Sequence, residues 1–169
     1  MNEPPTVRWS DAARPGGRIG HLVEAHATIG STSDRARALL AAGGDGIAVV
    51  ADEQTTGRGR HGRHWLTPPG RGLALSVGVR TTVAARDGWQ LAFAAGLAAR
   101  RACDADAEIG LKWPNDVVSP DGRKIGGILV ETTVERERIA TAVFGIGLNV
   151  DWPADEMPDE IAGTATSLV

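Results

Sequence analysis

Two long runs rich in apolar residues, Ile125 to Val134 and Ile139 to Val150, flank the short polar link Glu135 to Arg138. Strands of that length joined so tightly predict an antiparallel hairpin. Further strands are expected at His21 to Ala27, at Ile47 to Asp52 and at Leu73 to Arg80. In the last of these, Leu73, Leu75, Val77 and Val79 alternate onto one face. A short strand from Ile109 to Trp113 should end at Pro114, and Ser119-Pro120-Asp121-Gly122 has turn chemistry. Ser31-Thr32-Ser33-Asp34 reads as a capping box, opening a helix that runs to about Ala42 and stops at Gly43-Gly44. Trp89 to Cys103 is apolar almost all round until Arg100, which predicts a buried helix. Together these elements predict an α+β fold, a mixed and largely antiparallel sheet packed against helices, and not a doubly wound parallel sheet. Residues 1–19, with Pro4, Pro5, Pro15, Gly16 and Gly17, read as an irregular lead segment. After Trp152-Pro153 the chain turns acidic and poor in core residues.

Length and composition narrow the classes. A chain of 169 residues fits one domain, or one with a small appendage. A net charge of −3 with 42% hydrophobic residues excludes a disordered acidic tail and a uniformly basic nucleic-acid arm. The longest strongly apolar run, Leu91 to Ala99, is about half of a membrane span. No charged-then-apolar leader opens the chain, and the single cysteine, Cys103, excludes an internal disulfide framework or a thiolate metal cluster. A cytoplasmic location is the default expectation, with Cys103 as a core residue. Sixteen of the 18 basic side chains are arginine; the two lysines are Lys112 and Lys124. Either composition bias left two lysines over, or a compact, rotatable ammonium is needed at those places.

Three segments carry chemistry. Gln54-Thr55-Thr56-Gly57-Arg58-Gly59-Arg60-His61-Gly62-Arg63-His64-Trp65 interleaves glycines, which permit close backbone approach, with guanidinium forks that match phosphate or carboxylate oxygens. From Gln54 to Arg86 there are six arginines and no acidic residue. Such a loop should repel itself and be ordered by an anionic ligand, unless it is only a solvated basic loop. Lys112-Trp113-Pro114-Asn115-Asp116 could hold an anion on its lysine and a divalent metal on its aspartate, or could be a plain surface turn. Gly126-Gly127 and Gly145-Ile146-Gly147-Leu148-Asn149 lie on the paired strands and would leave a flat floor for a planar or bulky ligand. Trp65 and Trp113 are either core or pocket lining. His61 and His64 lack the further ligands of a metal site.

In that order, Ser-Thr-Ser-Asp, the arginine-glycine loop, Lys-Trp-Pro-Asn-Asp, Arg-Lys-Ile-Gly-Gly-Ile-Leu-Val-Glu and Gly-Ile-Gly-Leu-Asn-Val resemble the catalytic domain of biotin–protein ligases. The resemblance covers about residues 21–168. It implies a class II synthetase-like biotin/lipoate ligase domain over 21–169, with 1–20 as its irregular lead. The implied activity is a ligase forming a C–N bond. Biotin and ATP would give biotinyl-5′-adenylate, which passes to a lysine of a biotin carboxyl carrier domain.

By position, the resemblance assigns biotin binding to Ser31, Thr32, Ser33, Gln54, Arg58, Gly59, Arg60 and Lys112. It assigns catalysis to Lys112, beside the biotin carboxylate and α-phosphate, and to Arg58. Nucleotide contacts fall to Arg58, Arg60, Arg63, Trp65, Asn115, Asp116, Lys124 and Asn149, and Mg²⁺ to Asp116. No DNA or membrane partner is expected, and a homodimer is an allowed state. The family commonly has Asn where this chain has Ser33. It also continues beyond Leu168-Val169 with more catalytic domain and a small β-barrel, so the catalytic domain is expected to be incomplete. There is no room ahead of residue 20 for a helix-turn-helix DNA-binding domain. Two rivals stand beside this reading. One is a lipoate or octanoate ligase or transferase of the same fold. The other is a non-enzymatic nucleic-acid module using the arginine loop, which the 13 acidic residues from Asp104 onward oppose.

Overall fold

The computed structural model describes residues 9–66, 68–103 and 108–169. Part of the irregular lead, residues 1–8, lies outside them. Its elements in chain order are β1 (Val23–Ile29), α1 (Thr32–Ala41), β2 (Ile47–Gln54), β3 (Gly72–Arg80), α2 (Trp89–Cys103), β4 (Gly110–Lys112), β5 (Asp116–Val118), β6 (Lys124–Glu135), β7 (Arg138–Asn149) and the single turn α3 (Asp159–Ala162). The strands form one sheet in the order β1-β2-β3-β7-β6-β5-β4. Only β1 and β2 run parallel; every other neighbour pair is antiparallel. The long hairpin is β6–β7, at the centre of the sheet, and the expected α+β class holds. The first strand starts two residues later than its sequence pattern suggested.

α1 lays Ala36 and Leu40 on Val49 and Val143. α2 lays Ala95 and Ala99 against Ile128 and its neighbours. Ile128 pairs with Ile146 across β6–β7. Val143 and Ile146 are three residues apart on one strand, so they point to opposite faces, and the two helices cover opposite sides of the sheet. Ser76 pairs with Gly145 and therefore faces the α1 side.

β3 alternates as its sequence predicts; its large residues Leu73, Leu75 and Val77 are half-buried, while Ala74, Ser76 and Gly78 on the other face are buried. The small residues let α1 come close: a Cβ on Gly78 would stand 2.8 Å from the Leu40 side chain. Two expectations are corrected here. The helix α2 is not buried all round. Trp89, Phe93 and Leu97 are exposed, and the Trp89, Phe93 and Trp113 rings form a row with centroids 5.6 and 5.7 Å apart. Ala95, Gly96 and Ala99 make the buried stripe, with Cys103 half-buried against that core. Finally, the acidic tail has a small core of its own. Trp152, Met157 and Ala165 are buried together, and Thr164–Thr166 pair with Lys124 at the start of β6.

The β6–β7 turn sets Arg136 and Glu137 at φ 47° and 65°. Two consecutive left-handed residues are the geometry of a tight hairpin, which Asn-Gly adopts far more readily. We expect R136N/E137G to raise unfolding free energy by about 1 kcal/mol. Urea denaturation checks this, and unchanged stability would show that the turn carries no strain.

Candidate functional site

The site begins at the N-terminus of α1. Ser31 has the extended backbone of an N-cap, yet its side chain makes no capping hydrogen bond. The cap comes from the end of β2: Gln54 Oε1 accepts from the Thr32 N–H at 2.8 Å and from the Thr32 hydroxyl at 3.0 Å. Thr32 Oγ1 also lies 2.8 Å from Ser76 Oγ, which lies 3.0 Å from Ser33 Oγ. Thus three buried hydroxyls and an amide meet where α1 abuts β2 and β3. Asp34 does not answer back to the helix end as a capping box requires. Its carboxylate binds Arg37 at 2.6 Å and Arg58 at 2.7 Å.

The arginine-glycine loop is folded on itself as a small hairpin. Arg58 and His64 bridge, Gly59 N–H donates to Arg63 O, and Trp65 N–H donates to Gly57 O. Nothing in the loop's own sequence neutralises Arg58; remote residues do. Asp34 comes from α1 and Glu131, at 3.2 Å, from β6. Arg37 joins Glu131 at 3.0 Å and closes a ring of two cations and two anions. This neutralises Arg58 where self-repulsion was expected, while Arg60 and Arg63 bond to the neutral acceptors Asn115 Oδ1 and Arg60 O. The Arg58 hydrogen bond holds the Asp34 carboxyl below its ordinary 3.8; burial opposes this and Arg37 adds to it.

The glycine floor is present, and the planar group lying on it is the protein's own Trp65. Gly127 and Gly147 are cross-strand partners. A Cβ on Gly147 would stand 2.2 Å from the Trp65 ring, and one on Gly127 3.3 Å. The Trp65 Nε1–H is buried with no partner. Lys124 Nζ sits 5.6 Å over the same ring and 2.7 Å from Asp116. Gly126 turns away, toward Leu148.

These parts enclose a hollow of about 380 Å³ on the α1 side. Ser31, Thr32, Ser33, Gln54, Arg58, Gly59, Arg60, Arg63, Trp65, Asn115, Lys124 and Asn149 line it. Lys112 does not. It is exposed on β4 at the sheet edge, two strands from β6 and outside the hollow. The ammonium that reaches the hollow is that of Lys124, because the residues beside it, Thr164 to Thr166, and the β5 partner Asp116 fix it at the rim. Asp116 is paired with Lys124 and lies outside the lining, and among the described residues no group of three His, Cys, Asp or Glu could hold a metal ion, so the residues present do not fit the Mg²⁺ expected at Asp116. Trp113 is 73% exposed and is neither core nor lining. Asn115 is fixed by bonds to Ile128 and meets Arg60 at 3.3 Å; Asn149 donates to Thr166 O.

Sequence reasoning missed Ser76, which lines the hollow although wholly buried, and also the C-terminal rim of Trp152, Ile161 and Thr164. A lone serine among the small residues of β3 was the one available signal. The order of parts along β7 is informative. Ser33 and Ser76 lie over Gly145, Trp65 over Gly147, and Asn149 follows two residues on. Each two-residue step is about 7 Å. The hollow therefore runs from a neutral hydroxyl–amide end to a cationic and aromatic end.

Two outcomes test this geometry. G147A should displace the indole from its seat and shift Trp65 emission, read as the difference spectrum against W65F. An unchanged difference spectrum would put the ring elsewhere. Asp34's lowered value means that its pairing is complete above 3.8 and is lost as pH falls through the lower folded value. D34N should therefore lower the unfolding free energy at pH 7 modestly, by less than about 1 kcal/mol for so exposed a pair. The gap to wild type should close only below pH 3.8; a gap already closed at pH 5 would remove the ion pair from the account.

A family model described as Biotin/lipoate A/B protein ligase family matches residues 28–149. The biotin--[acetyl-CoA-carboxylase] ligase of Mycobacterium tuberculosis is 41% identical over 151 residues, 85% of this chain and 53% of that protein. The Leishmania major biotin protein ligase, solved in complex with biotinyl-5-AMP, superposes with a TM-score of 0.69 at 34% identity, covering 87% of this chain and 63% of that one. The Aquifex aeolicus ligase in complex with biotin and ATP gives 0.68 at 33% identity, over 87% and 59%. The chain thus spans about half the length of the Mycobacterium relative and about three fifths of the two solved structures. A match over residues 28–149, carried by the segments that build the hollow, makes this chain a member of the biotin/lipoate A/B protein ligase family.

Proposed function

We propose that the chain is the catalytic part of an ATP-dependent biotin–protein ligase. The observation that carries this is a hollow with a hydroxyl–amide group at one end, Lys124 and Arg60 at the other, and Arg58 ion-paired at its rim. A neutral polar head group suits the first end and a carboxylate meeting a phosphate suits the second. The residue assignments follow. Thr32, Ser33 and Gln54, with Ser31, hold the ureido head of biotin. Arg58, Gly59 and Arg60 cover the chain and its carboxylate. Trp65, Arg63, Asn115 and Asn149 bound the nucleotide. Residues 21–169 form the catalytic domain, with 1–20 as a lead.

In the first step a biotin carboxylate oxygen attacks the α-phosphorus of ATP, and the bond to pyrophosphate breaks. Two anions approach, so cations must offset their repulsion and the charge of the transition state. Lys124 and Arg58 do this by exchanging protein carboxylates for substrate oxygens. Lys124 leaves Asp116, and Arg58 leaves Asp34 and Glu131. Because each cation is held by its partner beforehand, the substrate need not order it from solution. In the second step a carrier lysine amine attacks the acyl carbon; an amide forms, AMP leaves, and the amine gives up its proton. Lys112, at the sheet edge, has no part in the first step. Any Mg²⁺ enters on the nucleotide phosphates.

The acceptor is a biotin carboxyl carrier domain, and the reaction is cytoplasmic without DNA. No helix among the described residues is long and apolar enough to cross a membrane. The family description admits lipoate as well as biotin; the 41% identity with a biotin ligase favours biotin.

Biotin-dependent exchange of labelled pyrophosphate into ATP tests the reading. K124A should lower the exchange rate by about 100-fold or more, and K112A by less than about threefold. Exchange supported by lipoate and not by biotin, or loss with K112A alone, would contradict it.

A further inference from the structure

The hydroxyls at the closed end of the hollow carry a direction that their distances reveal. Gln54 Oε1 faces a backbone N–H, Thr32's, which can only donate; this fixes the amide, with its oxygen inward. Thr32 Oγ1 also bonds that oxygen, so the single Thr32 hydroxyl proton is committed to Gln54. The 2.8 Å contact between Thr32 and Ser76 must then use the Ser76 proton. The 3.0 Å contact between Ser33 and Ser76 must in turn use the Ser33 proton. The chain runs one way: Ser33 donates to Ser76, Ser76 to Thr32, and Thr32 to Gln54. Thr32, Ser33 and Ser76 are all buried, Ser76 completely, so water cannot easily reverse the order.

We infer that Ser76 is a positioning residue that sets this order and thereby makes the closed end selective for a head group offering an N–H beside a carbonyl. Ser33 Oγ has no proton left for a ligand and presents lone pairs only. The Gln54 amide nitrogen, its oxygen being occupied, is the donor close by. A cyclic urea or lactam matches that acceptor–donor pair. A lactone or carbamate that puts a ring oxygen against Ser33 sets two acceptors face to face, an arrangement costly in a buried site. Serine at position 33 is what gives the chain its head: its single short hydroxyl reaches Ser76, and a Cβ on Gly145 would already crowd it at 2.9 Å.

The inference rests on the biotin reading and deepens it. The test is equilibrium binding to the full chain of biotin and of the two cyclic carbamate analogues, in which one ring N–H or the other is replaced by oxygen. Wild type should bind at least one carbamate about tenfold or more weakly than biotin. In S76A the Ser33 proton is released and can turn toward the ligand, so the ratio should fall below about threefold; S76T, which keeps a hydroxyl, should restore it. S33A removes the acceptor itself and should also flatten the ratio, which keeps the test open if S76A does not fold. If S76A and S33A weaken biotin and carbamates alike and leave the ratio unchanged, Ser76 is only structural and the inference fails. If wild type binds none of the three, the biotin reading fails, and the inference with it.

Discussion

The carbonyl oxygen of the Gln54 side chain accepts two hydrogen bonds from Thr32, and the site is assembled around that acceptor. A helix N-terminus leaves backbone N–H groups without partners. Here one of them is satisfied by a side chain from the end of a neighbouring strand and not by the residue at the cap position. The consequence is spatial. Ser31, freed from capping, turns to the hollow, and α1 is tied at its first residue to β2 and through Ser76 to β3. The small face of β3 lets the helix settle that close. Fold and recognition surface share the same hydrogen bonds.

Electrostatic neutrality is the second constraint. A chain that gathers Arg58, Arg60, Arg63 and Lys124 at one cavity would repel itself unless anions accompany them. Asp34 and Glu131 meet Arg58, and Asp116 meets Lys124. These partners are exposed enough that each pair contributes little to stability. Their effect is orientation: Arg58 and Lys124 are aimed and partly desolvated by carboxylates that an incoming anion can replace. The Asp34–Arg37–Glu131–Arg58 ring also ties the loop to α1 and β6 across the cavity mouth.

Much of this was readable from the residues. The hairpin was legible because Glu135 to Arg138 interrupts two strand runs with nothing but charge. The loop and glycine segments were legible because their residue types serve close backbone contact and oxyanion binding. What failed has a common cause: one-dimensional patterns do not say which side of a sheet a residue takes, or which distant residue meets it. Lys112 and Lys124 look alike in sequence, each beside a turn; only the pairing of β5 with β6 decides which one reaches the cavity. Asp34 and Glu131 lie 24 and 73 residues from Arg58, so its neutralisation left no local trace. Ser76 was hidden because the pattern of β3 is set by its larger residues on the opposite face, and a serine between alanine and glycine carries no signal of its own. In α2, apolar character all round was read as burial, whereas only Ala95, Gly96 and Ala99 are covered and the aromatic row is exposed.

The central claim is that one cavity, with Gln54 at one end and Lys124 at the other, receives both substrates. Amide hydrogen exchange with biotin and ATP added together reads this directly. The account predicts slowed exchange at once in residues 54–65, 124–129 and 145–149, with 110–112 unchanged. Protection centred on 110–112, or none in the loop and the two glycine strands, would contradict it.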